Sequence, residues 1–229
     1  EGLTVINENG KVEKGLAKDW YTKIDEERGE YWLYFRLVGD SSWDDEKYVQ
    51  ADDFVYAWKR LLEVDVNSEA AALLFDIKNA RAAKEGDASI DDVGIYPAEQ
   101  QMLEINFEGK IDYDQFLINI TSYALAPLRS DIVRRAEKEI DWAKSPTSLV
   151  TSGAFRLRTI SYDPAEAGLT LERNVYYQRD FMNDAPDKAV KPYRIIVDYT
   201  MTGEQILAAY ENGEILEGKV TGVEHMESF

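Results

Sequence analysis

The side chains that could carry catalysis are few in this sequence. Cysteine is absent, and the single histidine, His225, lies near the end of the 229 residues. A Ser-His-Asp or Cys-His site would therefore have to use His225. Side chains near chain ends are usually solvated, and the metalloprotease, zinc-thiolate, Walker and dinucleotide-binding motifs are missing. We predict that the chain is not an enzyme and that it holds no cofactor and no histidine-rich or thiolate metal site.

Carboxylates are abundant and form three short clusters, Asp44-Asp45-Glu46, Asp52-Asp53 and Asp91-Asp92. Each cluster offers oxygen ligands to Ca²⁺, but none has the alternating spacing of a calcium loop. Turns and helix starts, where Asp side chains accept backbone hydrogen bonds, explain them better. A glycosidase also uses two carboxylates. Among 44 acidic residues such a pair can always be found, so that signal carries little weight.

The charge balance restricts the partners. With 44 acidic and 26 basic residues the net charge is -18, which disfavours nucleic acid and anionic membrane surfaces. Hydrophobic residues make up 45%, enough for a packed core. No apolar run approaches the roughly 18 residues of a membrane span. The chain opens on Glu1-Gly2-Leu3-Thr4-Val5-Ile6, which is typical of a strand inside a domain rather than of a leader peptide. An exported protein needs such a leader, so either it has been removed or the chain is cytosolic.

Strand and helix patterns interleave irregularly, which predicts a mixed α/β (α+β) fold. Residues 1 to 20 are predicted as strand, turn and short helix. Period-two alternation predicts strands at 31–37, 102–107, 153–160, 168–173 and 193–199. The last of these has the most apolar composition and is expected to be the most buried. Helical spacing predicts helices at 51–62, 69–83, 113–122, 131–142 and 202–212.

Two helices have further local signals. In helix 51–62 an apolar stripe runs through Phe54, Val55, Trp58, Leu61 and Leu62, so Trp58 is expected in the core. In the last helix, Thr202 is expected to cap the first turn while Gln205 reaches back, and Gly213 is expected to end it.

Short stretches along the chain resemble, in the same order, the patterns of the family 5 extracellular solute-binding proteins, the oligopeptide and dipeptide binders of bacterial ABC importers. Residues 31–37 (YWLYFRL) resemble the family strand YTFHLR. Residues 43–61 resemble its signature WSDGxPVTAxDFVYAWxRL. The other matching stretches are Glu1–Leu3, Gly15–Trp20, Asp92–Ile95 with Leu103–Ile105, Thr151–Leu157 (VxNGPFKL), Leu169–Asn174 (LxLERNPxYW) and Tyr210–Ile215 (YxxGEID).

The chain departs from these patterns at several turns. In the signature loop, Glu46 and Tyr48 replace the family's Gly and Pro, and Gln50 replaces its capping Thr. Residues 152–155 (SGAF) replace NGPF, and Leu216 replaces the Asp of GEID. The chain is therefore expected to be a divergent member.

The resemblance implies part of a periplasmic-binding-protein-like type II fold. Residues 1–128 are expected to form the peripheral subdomain of the first lobe, and residues 129–229 part of its ligand-facing sheet, with the second lobe absent. The implied function is that of an ABC importer's substrate-binding component. It would capture peptides in the periplasm, or as a lipoprotein anchored at the outer face of the cytoplasmic membrane, and deliver them to a permease. We expect a monomer without nucleic acid.

By position in the family, the strand after Ile215 contributes ligand-contacting groups, which assigns ligand binding to Lys219, Val220 and Thr221. A frayed chain end is the competing interpretation of this segment. A peptide-contacting tyrosine of some members should fall near Ser68-Glu69-Ala70, where this chain has none. Two alternatives to peptide capture therefore stay open. One is the same fold binding another solute, such as a nickel chelate or an oligosaccharide. The other is an acidic glycan-active enzyme or surface adhesion module.

Overall fold

A computed structural model describes residues 1–138, 142–177 and 191–218. Within them the strands form antiparallel sheets of two, four and three strands, with helices between, so the mixed α/β prediction is confirmed. The first sheet is a hairpin of β1 (Thr4–Ile6) and β2 (Val12–Lys14). Its turn is closed by a hydrogen bond from the Gly10 N–H to the Asn7 carbonyl at 3.0 Å. Gly10 has φ +74°, which only a residue without Cβ adopts at little cost.

The four-stranded sheet has the order β3-β4-β6-β5. Its strands are β3 (Ala17–Asp25), β4 (Glu30–Leu37), β5 (Ile95–Glu99) and β6 (Met102–Asn106). The short helix predicted before residue 20 is wrong, because those residues enter β3. Trp20, Tyr21 and Thr22 favour a pleated strand, and β4 supplies a partner for each of them.

Helix α1 (Ala51–Leu62) has the predicted bounds and covers one face of the sheet, contacting β5 and β6. Trp58 is fully buried, as predicted, and its indole N–H donates to the Leu125 carbonyl at 2.9 Å. Its ring meets those of Phe54 and Phe116 edge-on, at centroid distances of 6.4 and 6.5 Å. The aromatic cluster thus joins helix, sheet and the segment after residue 110 into one core.

The single helix predicted at 69–83 is wrong. A 3₁₀ helix spans Glu69–Leu74, and helix α2 begins only at Ala80 and ends at Glu85. Between them Ile77 forms a bridge with Phe107, and Asn79 adopts a left-handed φ of 59°. The bridge and the left-handed residue interrupt the helical hydrogen bonds although the sequence is rich in alanine.

The helices after the sheet are shorter than predicted. Helix α3 spans Tyr113–Asn119, capped by the Asp112 carboxylate, and a 3₁₀ turn at Tyr123–Leu125 follows it. A further 3₁₀ turn, which precedes β5 in the chain, spans Ile90–Asp92. Helix α4 covers Ser130–Lys138, and Trp142 lies in a turn beyond residues 139–141, which are outside the described ranges.

The three-stranded sheet has the order β7-β8-β9, formed by Phe155–Ser161, Gly168–Arg173 and Arg194–Asp198. The expectation that the third strand is the most buried is wrong, since it is the edge of the described sheet and Ile196 is 73% exposed. Helix α5 (Gly203–Glu211) follows. Its predicted capping box is confirmed by reciprocal hydrogen bonds between Thr202 and Gln205, and Gly213 has the expected left-handed φ of 71°.

Candidate functional site

The loop after β4 contacts both the part of the chain that carries the four-stranded sheet and the part that carries the three-stranded sheet. We call residues 43–47 the acidic loop. Trp43, only 2% exposed, fixes it to α1 because its indole N–H donates to the Asp53 carboxylate at 3.1 Å. The loop closes on itself by hydrogen bonds between the backbones of Trp43, Glu46 and Lys47. Glu46 has a φ of 71° there, a conformation that disfavours residues with a Cβ.

The first carboxylate of the acidic loop pairs with the backbone that leads into β7. The Asp44 N–H donates to the Thr151 carbonyl at 2.9 Å, and the Asp44 carboxylate accepts from the Thr151 N–H at 3.1 Å. Burial raises the pKa of the Asp44 carboxyl, while the Thr151 N–H opposes that shift. The loop is thus hydrogen-bonded to a residue that lies 107 positions further along the chain.

Arg129 forms an ion pair with the loop in which its guanidinium is almost fully buried. Its guanidinium, 7% exposed, contacts both Asp45 oxygens at 3.0 Å and both Asp131 oxygens at 2.8 and 2.7 Å. Lys47 also reaches Asp131, at 3.3 Å. The Arg129 guanidinium holds the pKa of the Asp131 carboxyl well below its usual range. Bidentate geometry with a planar guanidinium gives this cluster a fixed orientation.

The third carboxylate of the loop reaches the turn after β8. The Tyr176 hydroxyl donates to the Glu46 carboxylate at 2.6 Å, and this bond raises the pKa of the Tyr176 phenol. Within the described ranges the acidic clusters gather no group of three or more carboxylate or imidazole side chains able to hold a metal ion. The three acidic side chains of residues 44–46 instead bind protein partners: backbone, arginine and phenol.

A half-open, mostly apolar pocket of about 390 Å³ lies beside Trp43 and Thr151. One wall is the face of the three-stranded sheet that carries Leu157, Ile160, Leu169 and Leu171. The opposite wall is formed by segments that follow the first core and by the loop itself, among them Trp43, Ala126, Pro127, Leu149 and Val150. A cavity lined by aliphatic and aromatic side chains takes apolar groups.

The other face of the three-stranded sheet is polar. Glu172, whose side chain is 8% exposed, receives hydrogen bonds from Arg156 at 2.9 Å and from the Tyr193 hydroxyl at 3.1 Å. Arg194 lies 3.5 Å away on the edge strand. The Arg156 hydrogen bond, followed by that of Tyr193, lowers the pKa of Glu172. The carboxylate therefore stays ionised and joins all three strands.

The predicted ligand residues Lys219, Val220 and Thr221 lie outside the described residues, as does His225. The structure describes the chain that leads to them: α5, the left-handed turn at Gly213 and the segment up to Gly218. Ser68, Glu69 and Ala70, where some family members have a ligand-contacting tyrosine, begin the 3₁₀ helix at Glu69–Leu74. The sequence analysis did not predict the partners of the acidic loop. The only sequence feature that marks this loop is the acidic run that follows Trp43.

The comparison with protein families decides the family. The model of the bacterial extracellular solute-binding proteins, family 5 (middle part), matches residues 11–223. The chain belongs to family 5. This membership confirms the resemblance drawn from the sequence patterns.

No helix among the described residues has the length and apolar character needed to cross a membrane.

Two curated relatives show how much of a family 5 protein is present. The oligopeptide-binding protein OppA of Bacillus subtilis (strain 168) is 30% identical over 178 residues, which is 77% of this chain and 30% of OppA. The periplasmic murein peptide-binding protein MppA of Escherichia coli (strain K12) is 32% identical over 161 residues, 69% of this chain and 28% of MppA. The chain thus spans less than a third of the length of these relatives.

Solved structures confirm the fold. The substrate-binding domain of an oligopeptide ABC transporter from Bacillus anthracis matches with a TM-score of 0.78 at 25% identity, over 94% of this chain and 38% of that one. Listeria monocytogenes OppA bound to peptide matches with a TM-score of 0.75 at 21% identity, over 94% and 39%. The chain therefore has the fold of part of a family 5 substrate-binding protein, consistent with a partial first lobe.

Proposed function

We propose that this chain is part of the substrate-binding component of an ABC importer that captures peptides outside the cytoplasmic membrane and delivers them to a permease. The observation that carries the proposal is the family 5 match along residues 11–223, together with relatives named as oligopeptide and murein peptide binders. Binding would be monomeric and non-catalytic. The ligand would lie in a cleft between two lobes, where preorganised polar groups meet it out of contact with water.

We further propose the division at residue 128. In support, every member of the main buried cluster lies between Leu3 and Leu125, so residues 1–128 have a core of their own. Residues from 129 onward contribute the three-stranded sheet and are held to the first part by the acidic loop. In this division the first part is the peripheral subdomain and the second is part of the ligand-facing sheet.

Lys219, Val220 and Thr221 are proposed to contact the ligand. The argument rests on the family resemblance, in which the strand after Ile215 contributes ligand-contacting groups. Replacing Thr221 and Lys219 by alanine in the intact gene product should weaken peptide binding. Replacing Lys18, an exposed residue of β3, by alanine is the control. Equal peptide affinity of both variants and the wild type would remove these residues from the site.

One observation favours a second solute class. Some family members have a ligand-contacting tyrosine near Ser68-Glu69-Ala70. This chain has no tyrosine there, at the start of a 3₁₀ helix, so that phenol is not available to a peptide. A non-peptide ligand of the same fold, such as a nickel chelate or an oligosaccharide, is therefore the second candidate.

Calorimetric titration of the intact gene product separates these functions. We expect di- to pentapeptides to bind with heat release, and chelated nickel and oligosaccharides to give none. Binding of only the chelate or the sugar would replace the peptide proposal by the second candidate. Turnover of chromogenic glycosides that one carboxylate substitution abolishes would contradict both and establish a glycan-active enzyme.

A further inference from the structure

Three consecutive residues of the acidic loop contact three separate segments of the later chain. The contacts are Asp44–Thr151, Asp45–Arg129 and Glu46–Tyr176. The side-chain hydrogen bonds in these pairs measure 3.1, 3.0 and 2.6 Å. The contacted segments lie before β7, before α4 and after β8. One short loop of the first part therefore touches the second part at three places.

Two of these contacts hold the same end of the three-stranded sheet. The antiparallel pairing of Phe155 with Arg173 places the start of β7 beside the end of β8. Thr151 leads into the first of these strand ends, and Tyr176 lies in the turn after the second. A single contact would let the sheet rotate about the bonded atoms. Contacts with two adjacent strands oppose that rotation, so the loop constrains the direction in which the sheet extends.

Arg129 fixes the acidic loop to the start of α4. Its guanidinium, 7% exposed, bonds both oxygens of Asp45 and both oxygens of Asp131. Lys47 closes the network, because its ammonium lies 3.3 Å from Asp131 while its backbone N–H lies 3.4 Å from the Asp45 carboxylate. A planar guanidinium that bonds two carboxylates at once fixes the direction of both. The loop and the start of α4 are therefore oriented as one unit.

Apolar packing constrains the sheet much less. The first core, which is the main buried cluster, lies between Leu3 and Leu125, so β7, β8 and β9 contribute no member to it. The apolar face of the sheet meets the first part across the half-open pocket of about 390 Å³ beside Trp43. Interlocked side chains normally fix the angle between two packed elements. Because a pocket stands between these two, the hydrogen bonds of the acidic loop carry more of that task.

We propose that the acidic loop sets the angle between the first core and the three-stranded sheet, with Arg129 as the main positioning residue. Arg129 orients the loop, and the loop passes that orientation to β7 through Asp44 and to β8 through Glu46. The Glu46 contact is a feature of this chain, since the family pattern has glycine at that position. If the sheet faces the ligand, its angle also decides where the ligand-contacting groups lie. That last step rests on the proposed function, and it makes Arg129 a determinant of peptide affinity that acts through the sheet.

The distance between two spin labels measures this angle, and the absence of cysteine makes the labelling specific. Lys23→Cys in β3 and Thr159→Cys in β7 place the labels at exposed positions of the two sheets. Thr159 lies towards the end of β7 that is remote from the loop, so a rotation at the loop displaces it strongly. Pulsed electron spin resonance should give one narrow distance while Arg129 is present. Arg129→Met removes the donors and should shift or broaden that distance by more than about 2 Å.

Matched variants separate positioning from charge. Arg28→Met removes an arginine that pairs with Asp25 at 3.6 Å in the β3–β4 turn, and it should leave the label distance unchanged. Arg129→Lys keeps the positive charge but lacks the planar fork, so the distance should still change. Asp44→Asn keeps an oxygen that accepts from the Thr151 N–H and should retain the wild-type distance, whereas Asp44→Ala should not. Circular dichroism checks that each variant is folded.

Several outcomes overturn the proposal. An unchanged distance in folded Arg129→Met, or an equal change in Arg28→Met, would show that the loop does not set the angle. A wild-type distance in Arg129→Lys would reduce Arg129 to a charge partner. If Arg129→Met does not fold, the comparison of Asp44→Ala with Asp44→Asn decides in its place.

Peptide titration of the intact gene product tests the functional step separately. We expect Arg129→Lys to bind peptides more weakly than the wild type, and equal affinity would overturn that step. Failure of the wild type to bind any peptide would contradict the proposed function, while the label distances would still decide whether the loop sets the angle.

Discussion

The Tyr176 hydroxyl and the Glu46 carboxylate are joined by a 2.6 Å hydrogen bond although 130 residues separate them. Glu46 stands where the family pattern has glycine, and its φ of 71° is the conformation that glycine adopts freely. Tyr176 stands at the unspecified position of LERNPxYW. Glu46 departs from the family pattern, Tyr176 stands where the pattern specifies no residue, and the two side chains are in direct contact. We infer that the contribution of each side chain to stability depends on the presence of the other.

A double-mutant cycle tests this dependence. Tyr176→Phe should destabilise the wild-type chain but leave the Glu46→Gly variant unchanged, because glycine removes the acceptor. Glu46→Gly alone should be close to neutral, since relief of left-handed strain, about 1 kcal/mol, offsets the lost bond. Urea unfolding measures all four proteins. A Tyr176→Phe effect of the same size in both backgrounds would show that the contact contributes nothing.

The indole of Trp58 should be the largest single contribution to the first core. Trp58→Ala removes a fully buried ring and its donor to Leu125, so we expect a loss of about 3–5 kcal/mol in the free energy of unfolding. Trp58→Phe keeps an aromatic ring and should lose less. A loss below roughly 1 kcal/mol for Trp58→Ala, measured by chemical denaturation, would contradict the placement of α1.

Lys84 caps the carboxyl end of α1 from another helix. Its ammonium donates to the carbonyls of Leu61 and Glu63 at 3.1 and 2.7 Å, and also to that of Val66. Lys84→Met keeps the aliphatic stem but leaves these carbonyls without the donor, so we expect a loss of about 1–3 kcal/mol. Lys18→Met, on an exposed side chain, is the control and should stay within about 0.5 kcal/mol. Equal urea midpoints for both variants would show that the cap is dispensable.

The Asp53 carboxyl should make stability fall as pH rises. Burial raises its pKa, although the Gln50 N–H at 3.0 Å and the Trp43 indole at 3.1 Å oppose the shift. Above the unfolded pKa, near 3.9, the native state then binds more protons than the unfolded state. The wild type should therefore lose stability relative to Asp53→Asn as pH rises through the folded pKa. A difference that stays constant, or grows in favour of the wild type, between about pH 4 and 7 would contradict this sign.

This chain alone should bind peptides weakly. One wall of a two-lobed cleft leaves most of a ligand in water, where its hydrogen bonds merely replace those to solvent. We expect a dissociation constant no better than about millimolar, near -4 kcal/mol, in calorimetric titration with di- to pentapeptides. A micromolar constant would show that the site lies wholly within these residues.

The sequence predicted the elements whose signals are local. Helix α1 and the capping box of Thr202 and Gln205 were predicted because apolar spacing and caps act within a few residues. The helix at 69–83 was predicted wrongly. Its alanine content favours a helix, but the Ile77–Phe107 bridge that interrupts it is a long-range contact that local composition cannot indicate. Strand β9 looked buried because composition cannot tell a central strand from an edge strand.

The contacts of the acidic loop could not be predicted either, because they join residues that are far apart in the sequence. Asp44, Asp45 and Glu46 find their partners 107, 84 and 130 residues away, and no periodicity in the sequence links positions so distant. The sequence indicated turns and capping, which holds for Asp53 in α1. For residues 44–46 the tertiary structure decides what each carboxylate meets.

The edge position of β9 has a practical consequence for handling the isolated chain. Within the described sheet, β8 pairs with one side of Arg194–Asp198, and no described strand pairs with the other side, beside the exposed Ile196. An open edge beside an apolar side chain is a template for a strand from a neighbouring molecule. In the described part of the chain this edge favours edge-to-edge association at high concentration, so dilute samples suit the titrations described above.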